Sequence, residues 1–239
     1  GLNDGLAFPF VYLAIALAGA AVGTSEAVQW LSRDLVWKSG LGVALGYAIG
    51  RSLGYLTFHL PLRASLSSTG DGFVALAVTF LAYGLVEMAG GYGFLAVFVS
   101  ALALRHSSRD HDYHDRLHGF AEGTERLLMM LLLILFGGMV AHGGLLAGFN
   151  WVMLLFVACA LLVVRPLAGM ASLLGSGVSW RERLVISFFG IRGMGSIYYL
   201  AFALNHAEFG APRTLWAVVG AMVLASVLLH GITVTPALH

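Results

Sequence analysis

Asn3 and Asp4 stand side by side at the head of an apolar run, GLNDGLAFPF. A carboxylate and an amide oxygen in that setting are ligands for a hard monovalent cation such as Na+ or Li+, which favours oxygen. A carboxylate taken out of water also holds a proton more readily, and one carboxylate cannot hold both ligands. The pair therefore has the chemistry of a site shared in turn by a proton and a cation. The competing explanation is a helix cap, a position at which Asn and Asp are favoured.

Three arginines also interrupt apolar runs: Arg51 in YAIGRSLGY, Arg165 in LLVVRPLAG and Arg192 in FFGIRGMGSIYY. A charge within a bilayer costs about 2.5–3.5 kcal/mol on insertion scales and usually meets a partner or a polar cavity. Arg51 lies toward one end of its run and can snorkel to the headgroups. Arg165 lies deep in its run and precedes Pro166, which frees a backbone carbonyl; a structural counter-ion is expected. Around Arg192, Gly190, Gly193 and Gly195, with Ser196 after them, predict a broken helix whose exposed backbone lines a cavity. Alternatively, those glycines only let helices pack closely.

Histidines raise a rival chemistry. RHSSRDHDYHDRLH holds His106, His111, His114 and His118, and helical spacing would bring the last three to one face. A membrane metal enzyme needs such boxes on several elements, whereas His59, His142, His206, His230 and His239 occur singly. The stretch alternates His, Asp and Arg like a solvated connector. Glu122 and Glu125, followed by Arg126, read as the start of an interfacial helix and as candidates for a response to cytoplasmic pH. No Walker loop, dinucleotide fingerprint or nucleophile triad occurs, so no cofactor is expected beyond a transported cation and H+.

The elements that must position these residues belong to a membrane protein. Of 239 residues, 59% are hydrophobic and 10% charged, against about 25% charged in soluble domains. The net charge of +1 comes with no basic stripe to neutralise phosphates, which sets nucleic acid aside. The single cysteine, Cys159, allows no intrachain disulfide and sits in an apolar run as packing. A crossing takes roughly 20 apolar residues, which predicts eight helical spans near 1–23, 39–60, 72–89, 90–104, 127–146, 149–174, 184–204 and 214–236. The fourth is short, either one arm of a tight hairpin with the third or partly re-entrant. If the spans alternate, Arg63, Arg105, Arg109, Arg116, Arg126, Arg181 and Arg183 share one side, and Arg33, Lys38 and Arg213 the other. The richer side is expected to be cytoplasmic. With no initiator Met and no leader before the first apolar stretch, GLNDG reads as the middle of an element and predicts further helices upstream.

GLNDG, HGFAEGTERLLMMLLLILFGG at 118–138, VVRPL at 163–167, GIRGMGS at 190–196 and SVLLHGITVTP at 226–236 resemble, in that order, motifs of the monovalent cation:proton antiporter-1 family of sodium/proton exchangers. The resemblance covers the whole chain and implies the last eight of about thirteen spans. It implies that Asp4, beside Asn3, alternately carries a proton and the cation. It also implies that Arg165 pairs with a glutamate just before Gly1, and that the glycines around Arg192 form one of two crossing broken helices. Residues 1–23 and 149–239 would then belong to a moving core, and 24–104 and 127–148 to a dimerisation scaffold, with 105–126 a cytoplasmic loop.

The expectation is thus an all-α polytopic membrane protein, an antiporter-like helical bundle, in a bacterial inner (cell) membrane. It would exchange Na+ or a related cation for H+ by alternating access, as a homodimer and as a transporter rather than an enzyme. A channel or uniporter of related fold and, further off, a His-metal membrane enzyme are the alternatives.

Overall fold

The computed structural model describes residues 2–19, 23–58, 73–107 and 113–238. These form helices and short connections, with no strand among the described residues, because a helix satisfies its own backbone where lipid offers no hydrogen bonds. In chain order they are α1 (Leu2–Gly19), α2 (Thr24–Gln29), α3 (Lys38–Phe58), α4 (Phe73–Met88), α5 (Gly93–Ser107) and α6 (Tyr113–Ala141), then α7 (Trp151–Cys159), α8 (Arg165–Ser172), α9 (Trp180–Phe188), α10 (Gly195–His206) and α11 (Pro212–Leu238). π-helical stretches at Trp30–Trp37 and Ala160–Val164 join α2 to α3 and α7 to α8. Among the described residues, three helical stretches, His118–Ala141, Trp151–Ser172 and Pro212–Val234, are long and apolar enough to cross a bilayer.

Contacts divide the chain into two units, Gly1–Leu131 and Leu132–His239. In the first, α3 lies on α5 along a stripe of small residues. A Cβ at Gly46 would stand 2.7 Å from the Ala96 Cα, and one at Gly50 would stand 2.6 Å from the Ser100 Cα. Gly42 meets the Tyr92 carbonyl one turn earlier. Lipid tails are as apolar as leucine, so close van der Waals approach of this kind, rather than hydrophobic burial, holds such helices together.

The short fourth span is the second arm of a helical hairpin. At its turn Gly90 adopts a φ of 79°, which glycine enters without strain. The Gly91 N–H then donates to the Val86 carbonyl at 2.9 Å and the Gly90 N–H to Glu87 at 3.0 Å, closing the end of α4. A Glu87 carboxylate oxygen accepts the Gly93 N–H at 2.9 Å, satisfying a donor at the head of α5.

Residues 113–126, expected within a connecting loop, are instead the opening turns of α6. Arg126 donates to Glu122 one turn before it, a spacing that supports a helix. Further along, Met130, Ile134 and Leu135 of this helix are exposed, as side chains facing lipid are.

In the second unit, Val157 and Leu161 pack on Ala221 of α11, and Gly169 of α8 brings that helix against Ser187 of α9, where a Cβ would stand 2.7 Å from the Ser187 Cα.

Candidate functional site

Asp4 lies in the first turn of α1, half-buried. The helix around it is seated by Gly5, whose Cβ position would be 2.8 Å from the Leu95 Cα and backbone nitrogen of α5. The close approach leaves room for no larger residue next to the carboxylate. Pro9 lies inside α1 and has no N–H, so the Gly5 carbonyl, one residue from Asp4, lacks its helical donor. Asp4 and Gly5 are thus sequence neighbours on one turn, one bearing an acidic side chain and the other a carbonyl that Pro9 leaves without a helical N–H. The Trp30 indole N–H donates to the Pro9 carbonyl at 2.6 Å, tying the same helix to the connection after it. The side chain of Asn3 lies outside the described residues.

In the second unit, the run expected to be one broken span is two helices. α9 ends at Phe188, residues 189–194 leave the helical path, and α10 starts at Gly195. Close packing therefore does not account for all of these glycines: around Gly193 a Cβ would meet nothing within 4 Å. Breaking a helix strands backbone donors and acceptors, and α11 meets two of the groups at this break. The Arg192 N–H donates to the Ser226 hydroxyl oxygen at 2.8 Å, and His230 Nε2 faces the Phe188 carbonyl at 3.0 Å. Both side chains are buried, Ser226 at 0% and His230 at 2% exposure. The side chain of Arg192 itself is exposed.

Arg165 joins this region from α8. Its guanidinium crosses the backbone at Gly190 so closely that a Cβ there would lie 2.7 Å from Nη2. The π-helical turn before it has a physical origin in Pro166, which cannot donate to the carbonyl four residues back. The ladder shifts instead, and the Arg165 N–H donates to Ala160, five residues back. Such a turn re-aims the residue that follows it. α9 starts with a capping box: Ser179 accepts the Glu182 N–H at 3.4 Å and donates its hydroxyl to Glu182 at 2.8 Å. The Ser179 hydroxyl and N–H hold the Glu182 carboxyl below its ordinary range.

Sequence reasoning thus brought forward Arg165, Gly190 and Arg192, and the structure groups them; it passed over Ser226 and His230. The available signal was SVLLHGITVTP itself, a serine and a histidine one turn apart in an apolar run. Glu122 pairs with Arg126 and Glu125 is exposed on α6. In the first unit a polar hollow lined by Tyr12, Arg33, Trp37, Lys38 and Glu87 was also unforeseen. There Lys38 pairs with Asp34 at 2.7 Å and lies 3.7 Å from the Tyr12 ring centroid. Among the described residues no three metal-ligating side chains converge; His111 and the side chain of His114 lie outside those residues.

A family model described as "Sodium/hydrogen exchanger, transmembrane" matches residues 1–239. The chain is similar to a Na(+)/H(+) antiporter of Schizosaccharomyces pombe, 21% identical over 98% of the chain and 54% of that protein. It is similar as well to the K(+)/H(+) antiporter NhaP of Alkalimonas amylolytica, 27% identical over 99% of the chain and 39% of the relative. A third relative, sodium/hydrogen exchanger 7 of Arabidopsis thaliana, is 26% identical over 80% of the chain and 18% of its own length. The chain thus spans about half or less of these curated relatives. No solved structure matches it.

Proposed function

The chain belongs to the sodium/hydrogen exchanger family, and from that premise we propose that the full-length protein exchanges a monovalent cation, Na+ in our reading, for H+ by alternating access across the cell membrane. The observation that carries the proposal is Asp4, a carboxylate half-buried in an otherwise apolar helix and one residue before a carbonyl left without its helical donor. Both are hard ligands suited to a small monovalent cation. Protonation of the carboxylate removes the charge that attracts the cation, so binding one ligand expels the other and transport is an exchange rather than a leak.

Asn3 orients or ligates in this reading. Arg165 and the interrupted segment shape the path, with Gly195 and Ser196 at the head of α10. Residues 1–23 and 149–239 act as the moving core, 24–104 and 127–148 as the scaffold of a homodimer, and Glu122 and Glu125 tune the response to cytoplasmic pH. The names of relatives support both Na+ and K+ as cargo, so both belong in the test.

That test is cation-driven proton flux through the full-length protein in proteoliposomes. Apparent cation affinity is expected to fall about tenfold per pH unit once protonation dominates, by linkage of the two equilibria, with the maximal rate far less affected. Asp4→Asn keeps the size of the side chain and removes its titration; it is expected to abolish coupled exchange in correctly inserted protein. Undiminished exchange in that variant would sink the assignment and return Asn3-Asp4 to a helix cap.

A further inference from the structure

We propose that Ser226 and His230 of α11 are positioning residues that clamp both ends of the interrupted segment and hold it in its cation-binding shape. The proposal rests on the exchange reading above and adds a device to it. Four groups form one connected path. The Arg192 N–H donates to Ser226 Oγ at 2.8 Å, and that hydroxyl lies 3.2 Å from His230 Nδ1. On the other side of the ring, His230 Nε2 lies 3.0 Å from the Phe188 carbonyl oxygen.

A carbonyl only accepts, so Nε2 must carry the proton that bonds Phe188. Nδ1 faces two oxygens of Ser226, the carbonyl at 2.7 Å and the hydroxyl at 3.2 Å, and the hydroxyl oxygen accepts from Arg192. The Arg192 N–H at one end of the break and the Phe188 carbonyl at the other, which also accepts the Gly190 N–H at 2.8 Å, are joined through two side chains. Neither side chain has water as an alternative partner, since both are buried. The rings of Phe188 and Phe189 flank the imidazole at centroid distances of 5.3 and 5.7 Å, fixing its plane. Arg165 covers the segment between the two anchors at Gly190. A histidine that merely filled space would need neither a hydroxyl one turn away nor a carbonyl at its far nitrogen.

The experiment uses the full-length protein with four substitutions, His230→Leu, His230→Gln, Ser226→Ala and Ser226→Thr, each checked for folded, inserted yield. Two quantities are read: the apparent KM and maximal rate for Na+ and K+, and amide hydrogen exchange of peptides covering 188–194. Loss of one such bond is worth about a three- to tenfold change. His230→Leu and Ser226→Ala are therefore expected to raise KM by about that factor and to speed exchange in 188–194 while α10 keeps its protection. His230→Gln retains a donor and an acceptor and Ser226→Thr retains the hydroxyl, so both are expected to stay within about twofold of the parent.

Parental KM and parental amide exchange in His230→Leu and Ser226→Ala would overturn the clamp. So would a His230→Gln protein as impaired as His230→Leu with 188–194 still protected, since that pattern is packing rather than positioning. A parent protein without cation-coupled flux would defeat the exchange reading instead, and the amide-exchange comparison would still decide the clamp.

Discussion

Two glycine-rich regions of this chain use the same residue for opposite ends. Along α3, Gly42, Gly46 and Gly50 recur every fourth position and let the backbone of α5 come within van der Waals reach. The helix is continuous and the missing side chain is the contact. At 190–195 the glycines are spaced by three and two, the helix stops, and around Gly193 there is open space. Gly190 is a contact glycine there, and what it admits is the Arg165 guanidinium rather than another backbone. Close packing suffices for the first region; the second needs polar side chains from elsewhere to take up what the break strands. Spacing within an apolar run thus distinguishes glycines that join helices from glycines that interrupt one.

The contrast is open to direct attack. The largest effect is expected at the α3–α5 seam. Gly46→Leu would drive a side chain into the Ala96 backbone, where nothing can rotate away, and overpacking of even an adaptable core costs about 1–3 kcal/mol. Loss of folded protein in detergent is the expected outcome, read by size-exclusion profile; a monodisperse, thermally unchanged Gly46→Leu protein would remove the basis for the comparison.

Arg165 and Gly190 sharpen it next. Arg165→Ala alone is expected to lower thermal stability by less than the seam variant, since trimming a half-buried side chain leaves a gap rather than a clash, and Arg165→Lys to retain part of it. Gly190→Ala alone should also destabilise, because its methyl overlaps the guanidinium. The two changes share one space, so the double variant should lose clearly less than the sum of the singles. Strict additivity in melting temperature would show that Arg165 does not lie across Gly190.

Smaller still is the cap that starts α9. Removing the Ser179 hydroxyl with Ser179→Ala is expected to lower the melting temperature by a few degrees at most. Because Glu182 is held below its ordinary value, its share of that stability is present above the usual glutamate range and disappears as pH falls through the lowered folded value. The gap between parent and variant should therefore narrow in acid, which a thermal melt series across pH would show. Least of all is expected from Gly193→Ala, whose added methyl meets nothing within 4 Å; a stability change well beyond about 0.5 kcal/mol would mean that the break is packed after all.

The amino-acid order alone determined a good deal. Composition identified lipid as the solvent, and apolar run lengths located the long helices but not α2 or the stretch Trp30–Trp37, which lie between two expected spans. Residues costly in such runs, Asp4, Arg165 and Arg192, marked themselves because a charge in hydrocarbon needs a reason. The interruption at 190–195 was also legible, since backbone propensity is local. Where spacing met turn chemistry, the reading was less sharp: the opening of α6 at Tyr113 lay inside a stretch read as loop, because charged residues suit a solvated helix as well as a connector. Only the tertiary structure decided which groups satisfy the break. Ser226 is 34 residues from Arg192 and His230 is 42 from Phe188, and no periodicity within a run encodes a partner at that distance. A lone histidine in an apolar helix looks the same in sequence whether it fills space or meets a backbone carbonyl at a break; the backbone that packs against it makes the difference, because buried polar groups are for the most part kept where another meets them.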